Sequence, residues 1–452
     1  MRQPEEPGRS RVEPWRKRGV LILGLLLSVN VFNFVDRQLP YILVESIRAD
    51  LRLNDAQIGL MAGLPFAVVY SFASLVVARV ADRVSAPLVL SASLAVWSIA
   101  TTLSGFAQSF LHLIIARGGV AAGESGSNPA AHAIIARLYP AAKRTTVLAV
   151  FSLGLPVGSS VGLMLGGWIN DTLGWRSAFF VLGLPGVAVA VIAWFCLRDQ
   201  SVHREPNRSP RGFRGALRHL LSLPSFRHML IGCGLFAVVF YAVSVFTPAF
   251  LIRVHHLGAA RVGFLLGALS ATGAMLGTLA GGLLADVLGR RDVRWRQLVP
   301  ACGVTVCIPV ALAAWLVHDV NAALFFLAPL YFFSMINAAP TWANIQLLAP
   351  DDMRSTATAL VQFSAALIGA SIGPLVVGMA SDLLTPRYGA QSLRYALSLV
   401  AIFMAWSGLH YCLAARHMRR DLERGDGGAA NYQVLADAPP RTALSSHATA
   451  RT

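Results

Sequence analysis

Apolar residues run along this chain in blocks of membrane-spanning length, parted by short polar breaks, from "VLILGLLLSVNVF" near the N-terminus to "LSLVAIFMAWSGLHYCL" near the C-terminus. A helix crosses the hydrocarbon core in about 20 residues. Blocks and breaks predict spans at 18–44, 56–80, 87–106, 109–137, 144–170, 177–197, 227–253, 261–285, 297–317, 321–348, 354–382 and 392–415. The expectation is an all-α membrane protein with twelve transmembrane helices. The first block runs on into polar "VDRQ" without a small-residue cleavage site, so no cleavable signal peptide is expected.

The pattern repeats. "PAAKRTTVLA" at 140–149 answers "PDDMRSTATA" at 350–359, and "VADR" at 80–83 answers "LADV" at 284–287. Two pseudo-symmetric six-helix bundles follow, at 18–197 and 226–415, with tails at 1–17 and 416–452. Such repeats mark transporters whose site lies at the repeat interface, near mid-membrane. The linker, 198–225, is polar and Arg-rich, but "FRGALRHLL" places Phe213, Ala216, Leu217, Leu220 and Leu221 on one helical face. That face predicts a short helix on the cytoplasmic membrane surface. Glycines recur every fourth residue at 154–166 and again at 273–281, which lets helices approach closely and slide.

Composition agrees: 55% of the 452 residues are hydrophobic and 13% charged, about half the charged share of a soluble domain. A net charge of +16 raises the question of nucleic acid, but topology accounts for it. With the N-terminus inside, 29 of the 38 Lys and Arg residues fall in cytoplasmic tails and connections, and 7 fall outside. This is the positive-inside rule, and it places both termini in the cytoplasm. A multi-pass protein of the cell inner membrane is expected, with no nucleic-acid partner. The five cysteines lie in or at the ends of spans, which reads as buried, inert thiols without a disulfide framework or metal pattern.

Against this apolar background the interior charges stand out. Each costs roughly 2.5–3.5 kcal/mol at a helix centre. Asp36 sits about 8 residues from the outer end of span one and Arg117 about 8 from the outer start of span four, both ~12 Å deep. Glu124 follows Arg117 by two turns on the same face, ~10 Å deeper. The expected order is Asp36 beside Arg117, with Glu124 below. Arginine keeps its proton while the acids titrate, so the three read as proton-coupling groups; the competing reading is a structural ion pair. Arg37 points about 100° away from Asp36 and is expected to snorkel outward. His132, alone, reads as a packing residue.

Spans seven to twelve hold no interior carboxylate. They offer Phe240, Tyr241, Thr247, Asn337, Thr341, Trp342, Asn344 and Gln362, which with Asn33 of span one form the candidate substrate cavity. An apolar wall with scattered hydrogen-bonding groups suits an amphipathic substrate better than a sugar.

These residues carry a resemblance. "GGLLADVLGRR" at 281–291 resembles the cytoplasmic motif of the major facilitator superfamily; its first-half counterpart "ARVADRVSAP" at 78–87 keeps Asp82 and Arg83 but lacks the glycines. "FNFVDRQLP", "DAQIGLMAGLPFAVVYSFASLVVARVADR", "RGGVAAGESG", "LPVGSSVG" and "PSFRHMLIG" leading to "TPAFL" are similar in order and spacing to Spinster-like lipid transporters. The resemblance implies movement of lysolipids or sphingoid phosphates, proton drive in bacterial members, and a role for Asp36, Arg117 and Glu124 as the family's charged positions. It also makes Asp82, Arg83, Asp286 and Arg290 a candidate cytoplasmic gate.

The expected function is proton-coupled transport of an amphipathic, lipid-like substrate by rocking the two halves, as a monomer and without a cofactor. A proton-coupled carrier of small organic anions or drugs is the alternative, and a lipid-binding receptor that moves nothing is a third reading. No nucleophile–base pair, metal spacing or phosphate loop points to an enzyme.

Overall fold

The computed structural model describes residues 14–81, 84–198 and 212–424. Among the described residues the helices fall into twelve spans in two bundles of six. Span one is Pro14–Ile42, running on as Val44–Leu51; span two is Asp55–Ala62 with Leu64–Ala81; span three is Ala86–Ser104. Span four is Phe110–Glu124 with Ser127–Leu138, span five Ala141–Ser152 with Gly154–Leu173, and span six Trp175–Leu197. The second bundle holds Pro224–Arg253 (seven), Ala259–Gly289 (eight), Trp295–Leu316 (nine) and Val320–Met335 with Ala338–Leu348 (ten). Span eleven is Arg354–Ser364, a π-helical turn at Ala365–Ala370 and Ser371–Tyr388; span twelve is Ser392–Ser398 with Val400–Arg424.

Four spans break in the same way. Each restarts just before a proline: Pro65 in span two, Pro129 in span four, Pro156 in span five and Pro340 in span ten. Proline lacks an N–H and is tolerated in a helix's first turn, where that donor would have no partner. Span four is thereby cut into two helices, each shorter than a bilayer, with Glu124 ending the first.

The glycine ladders pack within their own bundles. Gly158 and Gly162 face Val31, Phe34 and Val35 of span one, and Gly273, Gly277 and Gly281 face Tyr331, Phe332 and Ile336 of span ten and its end. The seams between the bundles are different: spans five and eight meet where Gly167 faces Ala259 and Gly263 faces Leu163, and spans two and eleven meet at Gly59, Pro374, Gly378 and Asp55. A Cβ at Gly263 would strike the Leu163 carbonyl, which no side-chain rotation relieves.

Those seams lie on the outer side. The inner segments of spans four, five and ten pack chiefly against their own bundles, so the cleft opens toward the Arg-rich face. Large apolar side chains such as Phe72, Leu283 and Leu383 are exposed, as suits helices long and apolar enough to cross a membrane. Within the linker, 199–211 lie outside the described residues, and the expected short helix is Gly212–Ser222. Its apolar face is divided: Ala216 and Leu220 are buried in protein, while Phe213 and Leu221 remain exposed. The cysteines depart from expectation: Cys307 is buried, but Cys196, Cys302 and Cys412 are exposed on helix surfaces.

Candidate functional site

The interior charges of spans one and four meet near the centre of the first bundle, with partners the chain's spacing did not reveal. Glu124, with a fully buried side chain, pairs with Arg37 and not with Arg117: Arg37 Nε donates to Glu124 Oε2 at 2.7 Å. The expectation that Arg37 snorkels outward is thus corrected. A break at Ser125–Gly126 ends the helix at Glu124, and the aromatic residues Phe34, Phe66 and Tyr70 hold the Arg37 guanidinium inward, with ring centroids at 5.4, 5.2 and 5.6 Å.

Asp36 does sit beside Arg117 in the electrostatic sense, but no ion pair joins them among the described residues. Thr101 Oγ1 of span three donates to Asp36 Oδ2 at 3.0 Å instead. Arg117 is buried, and its guanidinium lies 5.2 Å from the Phe66 ring centroid. Asn33 adjoins Glu124.

Four buried polar atoms in this group have no hydrogen-bond partner: Asn33 Oδ1, Asp36 Oδ1, Arg117 Nε and Glu124 Oε1. Buried polar atoms are satisfied in the large majority of cases, and each left bare costs about 1–3 kcal/mol. Four together, on two acids, an amide and a guanidinium, make a place that a proton, water or a polar group of a ligand would satisfy.

The second bundle reaches this place through span seven. Tyr241 lies within electrostatic reach of Arg37 and Glu124, and Phe240 packs edge-on against it at 5.5 Å with much of its ring exposed. Trp342 and Gln362 are also exposed. The remaining candidates are occupied elsewhere or enclosed. Thr341 shares a hydrogen bond with the Tyr411 hydroxyl at 3.2 Å, Asn344 Nδ2 donates to the Arg296 carbonyl at 2.9 Å, and Asn337 Nδ2 donates to the Ser334 carbonyl. Thr247 is fully buried. His132 stands edge-on to Phe151 at 5.7 Å.

Of the candidate gate, Asp82 and Arg83 lie outside the described residues. Asp286 is 3.5 Å from Arg296, a contact within the second bundle, and Arg290 is exposed.

At the outer end a cluster that the sequence reading passed over ties the bundles together. Arg253, at the end of span seven, forks between two acids of the first bundle: its Nη1 and Nη2 each lie 2.7 Å from an Asp55 oxygen, and its Nε and Nη2 donate to Glu45. Asp382 of span eleven accepts from the backbone N–H groups of Asp55 and Ala56 at 2.9 and 2.8 Å, capping span two. In the pseudo-equivalent place Asp171 of span five accepts from Ala260 N at 2.8 Å and caps span eight. Each bundle therefore supplies a carboxylate to a helix start of the other, satisfying exposed N–H groups and the positive helix end together. All of these residues sit at predicted span ends, where charge is unremarkable; only the 211-residue separation of Asp171 and Asp382, close to the internal repeat, could have marked them.

Comparison with known proteins agrees with the architecture. The family model of the Major Facilitator Superfamily matches residues 26–374. An MFS-type efflux pump of Mycolicibacterium smegmatis is 37% identical over 408 residues, covering 90% of this chain and 95% of its own. A sphingosine-1-phosphate transporter of Xenopus tropicalis is 24% identical over 91% of this chain and 84% of its own. Among solved structures, a bacterial homologue of the human lysosomal transporter Spinster, inward-facing and unoccupied, matches with a TM-score of 0.81 at 26% identity, covering 90% of this chain and 98% of its own. With two bundles, a cleft open on the Arg-rich side and these relatives, the protein is a membrane transporter and not an enzyme: it belongs to the major facilitator superfamily and is similar, within it, to the Spinster-like transporters.

Proposed function

We propose that this protein is a proton-coupled secondary transporter of an amphipathic lipid-like substrate, of the lysolipid or sphingoid-phosphate type. It works as a monomer in the cell inner membrane, rocking its two bundles about the central cleft. The observation that carries the reading is the group of four unpartnered polar atoms around the Arg37–Glu124 pair, at the foot of a cleft walled on the other side by Phe240 and Tyr241. A buried carboxylate held by one guanidinium, with its second oxygen bare, has two stable arrangements: ionised and paired, or protonated with the arginine released. Switching between them changes the charge of the cleft, and a change of charge is what biases one opening over the other. Support for a lipid comes from the apolar wall and from the sphingosine-1-phosphate transporter among the relatives.

A second reading, export of small organic anions or drugs, is favoured by the 37% identical efflux pump and by the bare Arg117 Nε, which would donate to an anion. Uptake by purified protein in proteoliposomes separates the two. Fluorescent lysophospholipids and sphingosine-1-phosphate should accumulate under an imposed pH gradient while small organic anions and dyes do not. The reverse selectivity would replace the lipid reading with the export reading.

A further inference from the structure

Phe66 meets both arginines of the site. Its ring centroid is 5.2 Å from the Arg37 guanidinium and 5.2 Å from that of Arg117. Phe66 and Tyr70, one turn apart on span two, are stacked at 5.7 Å with an 18° interplanar angle, and Phe34 of span one closes a third side of Arg37. Cation–ring contacts of energetic note occur roughly once per 70–80 residues, yet here one guanidinium meets three rings and a second shares one of them. Packing between helices would account for a ring at position 66. It does not account for two cations placed against the same ring.

We propose that Phe66, with Phe34 and Tyr70, is a positioning element that holds the Arg37 guanidinium in the cleft when Glu124 takes up its proton. This rests on the proton-coupling reading of Glu124. The physical need is plain. While Glu124 is ionised, it neutralises Arg37 at 2.7 Å; once protonated, it leaves a guanidinium without a counter-charge in a low-dielectric site, which is costly. Ring faces carry partial negative charge and supply part of what the carboxylate withdraws. The rings already meet Arg37 while the pair is made, so what shifts the balance is the part of the contact that strengthens once the carboxylate no longer competes for the guanidinium, and that part favours the protonated arrangement. Removing the ring should therefore make proton uptake harder, and the switch should need a lower pH.

The other charged and titratable groups facing the pair do not replace the rings. Asp36 and Tyr41 come from span one, Arg117 from span four and Tyr241, backed by Cys233, from span seven. Arg117, against the same ring, opposes release of a second cation nearby, which increases the need for Phe66.

The test is the pH midpoint of opening, read from distances between spin labels on the two bundles of the full-length protein in lipid. Phe66→Leu should move the midpoint to lower pH by about 0.3–0.5 unit, a fraction of one such contact, because the ring meets Arg37 in both arrangements and only the difference counts. Phe66→Trp should restore it. Should Phe66→Leu fail to give folded protein, Phe34→Leu and Tyr70→Leu should each move the midpoint in the same direction. An unchanged midpoint in these variants, beside a normal pH response in the parent, would overturn the role of the rings alone. A parent without any pH response would overturn the coupling reading and the role of the rings with it.

Discussion

Arg37 and Glu124 are the residues on which the account turns, and only one of them was legible as functional. Glu124 stands out because any carboxylate inside an apolar run is expensive. Arg37 is hidden because helical geometry turns it about 100° from Asp36, its neighbour in the chain, while its partner is a different acid. Its true partner lies 87 positions away, and the break that brings Glu124 to it is signalled only by Gly126 and Pro129. Asp36 stands out as an interior acid in the same way, but Thr101, an inconspicuous residue of span three, takes its oxygen. Hydroxyl partners of this kind leave no mark in hydropathy. Two predictions follow at these positions. Glu124→Gln keeps a polar side chain but cannot ionise, so it should fold normally and lose pH-dependent movement of the bundles, read from label distances across pH 5–8. Asp36→Asn keeps the Thr101 contact as acceptor and should weaken the response without abolishing it; complete loss there would shift the coupling role from Glu124 to Asp36.

The twelve spans were readable from apolar blocks because length and hydropathy are sufficient for a helix that must satisfy its own backbone in lipid. Their interruptions were not. Breaks before Pro65, Pro129, Pro156 and Pro340 fall within apolar runs, where the hydropathy pattern hardly changes. The same limit applies to the glycines: fourfold spacing marks close packing but does not say against what. Gly158 and Gly277 serve packing within a bundle, while Gly263, outside any ladder, closes the seam between spans five and eight. Gly263→Val is therefore expected to pry that seam apart, since overpacking against backbone costs about 1–3 kcal/mol and cannot be relieved by a rotamer. An engineered cysteine at the outer end of span eight should become accessible to an impermeant thiol reagent in this variant, whereas Gly24→Val, at a position open around its Cα, should leave it protected.

Two bundles of six spans and a first bundle holding the interior acids were visible in the chain, because they are properties of its pattern. The outer closure was not, because it joins residues that look like ordinary span ends. Arg253 with Glu45 and Asp55, and the reciprocal caps of Asp382 and Asp171, tie the two bundles together at the end away from the Arg-rich face. Such charge-assisted contacts, partly buried, are stronger than exposed pairs and must all part for the outward-open state. Arg253→Ala should raise the outward-open population several-fold, seen as longer distances between labels on the outer ends of spans two and eleven; unchanged distances would show that the seams alone keep the outer side shut. The central claim, that substrate and proton move together, is tested most directly by following internal pH in proteoliposomes as a lysophospholipid or sphingosine-1-phosphate is added outside. The account predicts a substrate-dependent pH change with the parent protein and none with Glu124→Gln. Substrate uptake by the parent with no accompanying proton movement, or an equal pH change in Glu124→Gln, would contradict it.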